Sequence, residues 1–235
     1  MTSQLPGRIV MAVVAIATAL ALLLVAIPLF LNPAWVSFEQ DRAQADAWTG
    51  YSPGEVHRVT GSLLHDLVLG PPAFDAADDS GRPVLEARER AHLVDVRAVF
   101  GAALAVLAAA AVIVVISVAG RGAQPATWRA IRAGARGLVV AVVALGVVAV
   151  VAFDAAFEAF HELFFAGGTY TFDPRTDRLV QLFPDQFWSE TTLALGAALL
   201  VLAVAVDRLA GRRLRTLGRP TADPTRTRLA TAAPR

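Results

Sequence analysis

Four long apolar runs divide the chain into alternating apolar and polar segments. A membrane-spanning helix needs roughly 20 apolar residues and tolerates about 17 to 25. The runs cover residues 9–31, 98–119, 137–153 and 191–206. The last two are short, but residues 154–165 can continue the third run as helix, and Phe187 and Trp188 precede the fourth as interfacial aromatics. We therefore predict four transmembrane helices, the first retained in the membrane rather than cleaved as a signal sequence.

The charged residues are separated by sign between the polar segments, which the net charge of +1 conceals. The chain has no lysine, and 13 of its 21 arginines lie in residues 1–8, 120–136 and 207–235. Of its 20 acidic residues, 18 lie in residues 32–97 and 154–190. Because basic residues near membrane helices stay in the cytoplasm, we predict cytoplasmic termini, a cytoplasmic basic connection and two outward segments in a multi-pass plasma-membrane protein.

The three basic segments are predicted to contact anionic membrane lipid and not nucleic acid. The tail at residues 207–235 is rich in arginine and, towards its end, in threonine and proline, so we expect it to be largely disordered. The chain has no cysteine, which excludes disulfides, thiolate metal sites and cysteine nucleophiles.

The first outward segment, residues 32–97, is predicted to contain an amphipathic helix. The stretch Ser52-Pro53-Gly54-Glu55 has the spacing of a capping box, with proline at the first helical position. Four apolar residues then recur at intervals of three and four: Val56, Val59, Leu63 and Leu67. On the same helix His57 and His65 fall on the polar side. A further helix is predicted to begin at Pro83 and continue into the second apolar run.

The second outward segment, residues 154–190, has the pattern of a β-hairpin. Strand-forming residues at 168–172 and 179–183 flank a five-residue turn, Asp173-Pro174-Arg175-Thr176-Asp177. The predicted fold is therefore an all-α polytopic membrane protein, with four transmembrane helices and a small extracytoplasmic α+β cap made of the amphipathic helix and the hairpin.

Two histidines are predicted to lie at one depth near the outer surface of the membrane. His92 precedes the second apolar run by six residues, about 9 Å along a helix, and His161 follows the third by eight, about 12 Å. The short basic connection makes these two helices antiparallel neighbours. We therefore expect the two imidazoles to face each other, and we choose His92 and His161 as candidate catalytic residues.

Acidic residues share the helix faces of both histidines. Glu89 and Asp95 are three residues from His92, Asp154 and Glu158 lie on the stripe of His161, and Glu162 borders that stripe. We expect these carboxylates to support the pair by fixing a tautomer and raising the basicity of the imidazoles. The neighbouring stripe of phenylalanines is expected to meet lipid or other helices.

Several chemistries could use this pair. Zinc hydrolysis fits poorly, because Phe165 stands where an H-E-x-x-H motif needs its second histidine. A carboxylate-bridged di-metal site is a second alternative, since residues 89–92 and 158–161 both read E-x-x-H, with Glu39 and Glu190 near the other two helices. Acid–base catalysis of acyl transfer at the ester level of the membrane is a third.

Non-enzymatic functions also stand as alternatives. The four apolar runs contain no Asp, Glu, Lys, Arg or His, so a proton or ion path through the membrane has no polar steps. A membrane adaptor with an outward sensing cap fits the same pattern of segments.

Two stretches resemble the bacterial lipoprotein intramolecular transacylase family. They are "FHELFF" followed by "YTFDPRTDRLVQLFP", from residue 160 to residue 184, and "ERAHLVDV" at residues 89–96. The resemblance extends over nearly the whole chain up to about residue 206. It implies an acyltransferase that moves the sn-2 acyl chain of a diacylglyceryl-modified N-terminal cysteine onto that cysteine's own α-amine, giving the lyso form. It also implies that His92 and His161 are catalytic and that the partners are a lipoprotein substrate and membrane lipid. We expect no cofactor and assign no metal site.

Overall fold

The computed structural model describes residues 5–165 and 167–218. They form α1 (Leu5–Ala26), α2 (Pro33–Arg42), α3 (Ala45–Thr49), α4 (Pro53–Val68), α5 (Ala87–Arg121), α6 (Pro125–Val151), α7 (Phe153–Phe164), α8 (Arg178–Leu182) and α9 (Asp185–Leu217), with a 3₁₀ turn at Ile27–Leu29. Four of these helices, α1, α5, α6 and α9, are long and apolar enough to cross a membrane. The predicted multi-pass membrane architecture is confirmed. The expected disorder of the tail is wrong for residues 207–217, which form the end of α9, and residues 219–235 lie outside the described range.

The four long helices pack into a bundle with α1 between α5 and α6, and with α9 along α6. The prediction that α5 and α6 are direct neighbours is therefore wrong, because α1 occupies the space between them. Helices α1 and α6 approach very closely at Gly134, where an added Cβ would collide with the carbonyl oxygen of Ala15. Small side chains are what allow two backbones in a membrane to come this near. Farther along both helices, Leu22 and Ala26 of α1 pack with Leu138 of α6. Residue numbers therefore rise in the same direction on α1 and α6, which run parallel.

A polar cap covers one end of the bundle and is built from α2, α3, α4, α8 and the connections between them. Its core consists of Ala45, Val56, Val59, Leu63, Phe74, Ala76, Val84, Leu85, Leu179 and Leu182. The predicted amphipathic helix is present as α4. The Ser52 hydroxyl accepts a hydrogen bond from the Glu55 amide at 3.2 Å, and Val56, Val59 and Leu63 are buried. The cap thus joins the two outward segments through one shared apolar core.

The predicted β-hairpin is wrong, because no strand occurs in the part of the chain that the structure describes apart from one isolated bridge between Ala77 and Pro83. The segment expected to form the second strand is the short helix α8. The Asp177 amide donates a hydrogen bond to the Asp173 carbonyl oxygen at 2.8 Å. This bond closes a turn that leads into α8 instead of a hairpin turn. The Leu179 amide then donates to the Glu89 carboxylate at 2.6 Å. This long-range acceptor stabilises the first turn of α8, and Leu179 and Leu182 enter the cap core.

The helix expected from Pro83 begins instead at Ala87, and it then continues without a break past His92 to Arg121. Val84 donates a backbone hydrogen bond to the Ala76 carbonyl at 2.9 Å, and Val84 and Leu85 are buried in the cap, so these residues pack there before the helix starts. The third long helix does not run straight on through residue 165. At Ala152 the backbone leaves the helical region (φ −147°, ψ 51°), so α7 begins as a separate helix at Phe153.

Candidate active site

The two candidate histidines face each other, as the sequence predicts. The imidazoles of His92 on α5 and His161 on α7 stack with ring centroids 6.2 Å apart and an angle of 28° between their planes. His92 is buried, while His161 is partly exposed. His92 lies near the start of α5, which continues into the bundle, and the next residue, Leu93, packs against the cap core. The pair therefore lies where cap and bundle meet.

His161 is held by its own helix and by aromatic rings. Its Nδ1 lies 2.7 Å from the carbonyl oxygen of Phe157, one turn earlier. A carbonyl oxygen can only accept a hydrogen bond, so Nδ1 carries the proton and Nε2 of the neutral ring keeps its lone pair. The ring lies 4.2 Å from that of Phe157 and 5.1 Å from that of Tyr170, centroid to centroid. The site thus presents one imidazole nitrogen as a proton acceptor.

His92 has apolar neighbours and one polar atom that no protein group satisfies. Its ring lies 4.9 Å from Phe165 and 5.5 Å from Phe172, both edge-on. Its Nδ1 is buried and has no hydrogen-bond partner among the described residues. A buried polar atom without a partner costs free energy, and such atoms in native proteins call for a functional explanation.

Glu89, which the sequence assigns to the support of His92, is engaged elsewhere. Its carboxylate accepts hydrogen bonds from the backbone amides of Leu179 at 2.6 Å and Glu86 at 2.7 Å, and the residue is only 1% exposed. The preceding residue, Arg88, bonds the buried carboxylate of Asp177 at 2.6 Å. Together these contacts fasten the start of α5 to the start of α8. Glu89 therefore fixes where His92 stands and does not bond its imidazole.

The other four acidic residues, Asp95, Asp154, Glu158 and Glu162, are exposed. Of these four carboxylates, only that of Glu158 has a hydrogen bond within the described residues. It accepts this bond from the Tyr170 hydroxyl at 3.0 Å. Burial, that hydrogen bond and the nearby negative charges raise the pKa of Tyr170, so its hydroxyl remains a donor. No carboxylate–imidazole hydrogen bond therefore occurs at either His92 or His161 in the described structure; a backbone carbonyl orients His161 instead.

The described residues provide no ligand set for a metal ion, because no group of three or more His, Asp or Glu side chains is placed to hold one. The two E-x-x-H motifs do not combine, because Glu89 is bound to backbone amides and Glu158 to Tyr170. The geometry accordingly gives no support to the di-metal alternative.

A second buried carboxyl lies away from the histidines, between α2 and α9. Glu39 is 1% exposed and hydrogen-bonds Glu190, whose carboxylate is held by Arg42 at 2.7 Å. Burial, followed by the hydrogen bond and charge of Glu190, raises the pKa of Glu39 to about 7, although Arg42 acts in the opposite direction. This pair fastens the cap helix α2 to the first turns of α9.

Sequence reasoning missed the aromatic surroundings of the pair. The phenylalanine stripe that includes Phe157 is expected to meet lipid or other helices, yet Phe157 contacts His161 and lies 6.2 Å from Trp188. The predicted strand contains Tyr170 and Phe172, which instead lie against the histidines. The available signal was the density of aromatic residues: Phe153, Phe157, Phe160, Phe164, Phe165, Tyr170 and Phe172 lie within 20 residues of one another around His161.

Fold and site together define an integral membrane enzyme with a pair of imidazoles at the boundary between an apolar bundle and a polar cap. The sequence profile of the family described as lipoprotein intramolecular transacylase Lit matches residues 11–188. The chain belongs to this family of acyltransferases.

The structure agrees with this assignment. The fold is similar to that of the membrane-integral lipoprotein intramolecular transacylase Lit from Bacillus cereus, with a TM-score of 0.73 and 20% identity, over 89% of this chain and 97% of that chain. Two variants of the same Bacillus cereus protein, with a histidine replaced by arginine or by alanine, each give a TM-score of 0.69 at 21% identity. They cover 89% of this chain and 92% and 94% of theirs. No protein of curated function matches the chain.

Proposed function

We propose that this chain moves the sn-2 acyl group of a diacylglyceryl-cysteine lipoprotein onto the α-amine of the same cysteine. The observation that carries the proposal is the stacked pair of His92 and His161, 6.2 Å apart at the junction of bundle and cap. Family membership supports the reaction class, and the solved Bacillus cereus transacylase is also represented by two histidine variants. The substrate's acyl chains would lie among the apolar helices while its peptide leaves toward the polar cap.

The reaction exchanges one acyl bond for another and needs no external reactant. The α-amine nitrogen attacks the sn-2 ester carbonyl, a carbon–nitrogen bond forms, and the bond from the carbonyl carbon to the glyceryl oxygen breaks. One proton leaves the nitrogen and one proton reaches the oxygen, so protons balance. Because amine and ester belong to one molecule, holding them together supplies much of the rate.

His161 fits the role of general base. Its Nδ1 donates to the Phe157 carbonyl, which leaves the Nε2 lone pair to take the proton of the attacking amine. An α-ammonium ionises near pH 7.7–8.0, within easy range of an imidazole. His92 fits the complementary role, since its buried Nδ1 has no partner among the described residues and can hydrogen-bond the reacting substrate. The proton that His161 takes from the amine then passes to the departing glyceryl oxygen, so both imidazoles end in their starting states. The rings of Phe157, Phe165 and Phe172 limit water around the pair and so disfavour hydrolysis.

The proposal includes an orientation in the plasma membrane. The distribution of arginine supports cytoplasmic termini and an outward cap with the histidine pair at the outer surface. The supporting residues have different roles, since Glu89 positions His92 and Glu158 holds Tyr170 against His161. The proposal assigns no proton-transfer role to Asp95, Asp154 or Glu162.

A labelled substrate tests the proposal. A diacylglyceryl-cysteine peptide with a deuterated acyl chain at sn-2 only is incubated with the purified chain, and the product is analysed by tandem mass spectrometry. We expect the label on the cysteine α-amine, with no exchange between labelled and unlabelled peptides when both are present. Release of deuterated fatty acid, transfer between molecules, or an unchanged diacyl peptide in the presence of folded protein would each contradict the proposal.

A further inference from the structure

The structure contains a groove at the end of the bundle opposite the histidines, between α1 and α6. Its volume is about 360 Å³, and it is lined by Met11, Ala12, Ala15, Ala126, Arg129, Ala130 and Ala133. Apart from Arg129 these side chains are all apolar and most are small. The groove opens below the close contact of Gly134 with Ala15, where the two parallel helices separate.

The arginines of α6 differ in what they contact. Arg132 and Arg136 both bond the Asp207 carboxylate of α9, at 2.9 and 2.6 Å. Arg129 is exposed and has no hydrogen bond or ion pair with any described residue. Two of the three guanidinium groups therefore share one carboxylate within the bundle, and the third, beside the groove, has no acidic partner among the described residues.

A second unpaired arginine stands at nearly the same height. Arg8 on α1 is exposed, has no partner among the described residues, and precedes Met11, Ala12 and Ala15 by three, four and seven positions. That spacing places it on the helix face that lines the groove. Measured from the Gly134–Ala15 contact, Arg129 lies five residues down α6, about 7.5 Å, and Arg8 seven residues down α1, about 10.5 Å. Both cations thus flank the same end of an apolar slot.

We propose that this groove binds one anionic phospholipid, with an acyl chain along the alanines and the phosphate between Arg8 and Arg129. The arrangement of an apolar slot ending at two uncompensated cations matches a lipid tail joined to a charged headgroup. A second copy of the chain fits less well, because it would bury two like charges without a counter-charge from α1 or α6. The protein leaves the surface beside the groove uncovered, since Ile9, next to Arg8, is 62% exposed. The site is separate from the proposed chemistry at His92 and His161.

The test counts lipids bound to the purified full chain by native mass spectrometry. The probes are phosphatidylglycerol and phosphatidylcholine with identical acyl chains, added to detergent-solubilised protein. A basic residue near the membrane surface changes the affinity for anionic lipid about fivefold. We expect Arg129→Gln and Arg8→Gln each to lower the affinity for phosphatidylglycerol about fivefold and to leave that for phosphatidylcholine unchanged. Ala133→Phe, which fills the exposed side of the groove, should remove this site for both lipids.

Arg212→Gln is the matched control, since Arg212 is also exposed and unpaired among the described residues but lies on α9, outside the groove. Thermal unfolding of each variant confirms that it is folded. The proposal is overturned if Arg212→Gln weakens phosphatidylglycerol binding as much as Arg129→Gln does, because the charge effect is then diffuse. Unchanged binding in Ala133→Phe, or a dimer that Ala133→Phe dissociates, would overturn it as well.

Discussion

The two histidines face one another, but the helices that carry them are attached to the protein in different ways. His92 is buried near the start of a 35-residue helix whose first turn is tied to α8 through Glu89 and Arg88. His161 lies on the 12-residue helix α7, which has no buried residue and is separated from α6 by the break at Ala152. One imidazole is thus positioned by contacts across the chain, and the other by its own helix and nearby rings. The cap therefore determines the site through His92 more than through His161.

The largest expected effect is on activity and is equal for both histidines despite this difference. General acid–base catalysis contributes about 10²–10⁴-fold in rate, so His92→Ala and His161→Ala should each lose that much while remaining folded in the membrane. The measurement is the rate of lyso-form production by mass spectrometry, normalised to folded protein. A variant of either residue that retains more than a tenth of the wild-type rate would show that the pair is not the reacting centre.

The next effect concerns stability and separates the two sides of the site. Glu89→Ala leaves the buried Leu179 amide without its acceptor, at a cost of roughly 1–3 kcal/mol, and also removes the part-buried bond from the Glu86 amide, so its free energy of unfolding should fall strongly. Glu158→Ala on α7 removes an exposed side chain and should change stability by less than about 0.5 kcal/mol. Denaturation of both variants in detergent measures the contrast. Equal losses would mean that α7 is attached as firmly as the start of α5.

A smaller effect is expected at Tyr170, which contacts the His161 side only. Tyr170→Phe keeps the ring against His161 and removes the hydroxyl that bonds Glu158, so the rate should fall about fivefold, the equivalent of one hydrogen bond. Tyr170→Ala also removes the ring and should lose more. If Tyr170→Phe were as inactive as His161→Ala, the hydroxyl itself would have to act on the substrate.

The last prediction is a pH dependence of stability that arises from Glu39, remote from the pair. An unfolded glutamate ionises near pH 4.5, whereas the folded carboxyl keeps its proton until about pH 7. Between these values the folded state binds more protons, so stability decreases as pH rises from 4.5 through 7. In Glu39→Gln this decrease should be absent, and the variant should be more stable than wild type at about pH 8. Glu158→Gln is the control and should keep the wild-type slope; persistence of that slope in Glu39→Gln would remove Glu39 as its source.

The sequence predicted what depends on long, local patterns. The four membrane helices follow from runs of apolar residues, and α4 follows from its cap at Ser52 and the spacing of its apolar side chains. The facing histidines follow from their similar distances to two successive runs, even though α1 separates those two helices. Each of these needs only the chain's own periodicity and the thickness of a bilayer.

The sequence could not predict what depends on distant partners. Residues 178–182 have strand-forming composition, but their first turn is capped by a carboxylate 90 positions away. For the same reason the sequence assigns Glu89 to His92, since nothing local shows that two amides already occupy its carboxylate. The break at Ala152 makes α7 a separate helix, on which Phe157 contacts His161 one turn later and also lies near Trp188 of α9, so the phenylalanine stripe lines the site in addition to any surface it offers to lipid.

The most direct test of the central claim, that His92 and His161 act as one catalytic unit, is a double-mutant cycle on the rate of acyl transfer. Groups that act together are strongly non-additive, because removing the second adds little once the first is gone. We predict that His92→Ala/His161→Ala produces the lyso form within about threefold of the slower single variant, still above the rate without protein. Losses that multiply, leaving the double variant at that background while both single variants stay measurable, would contradict it.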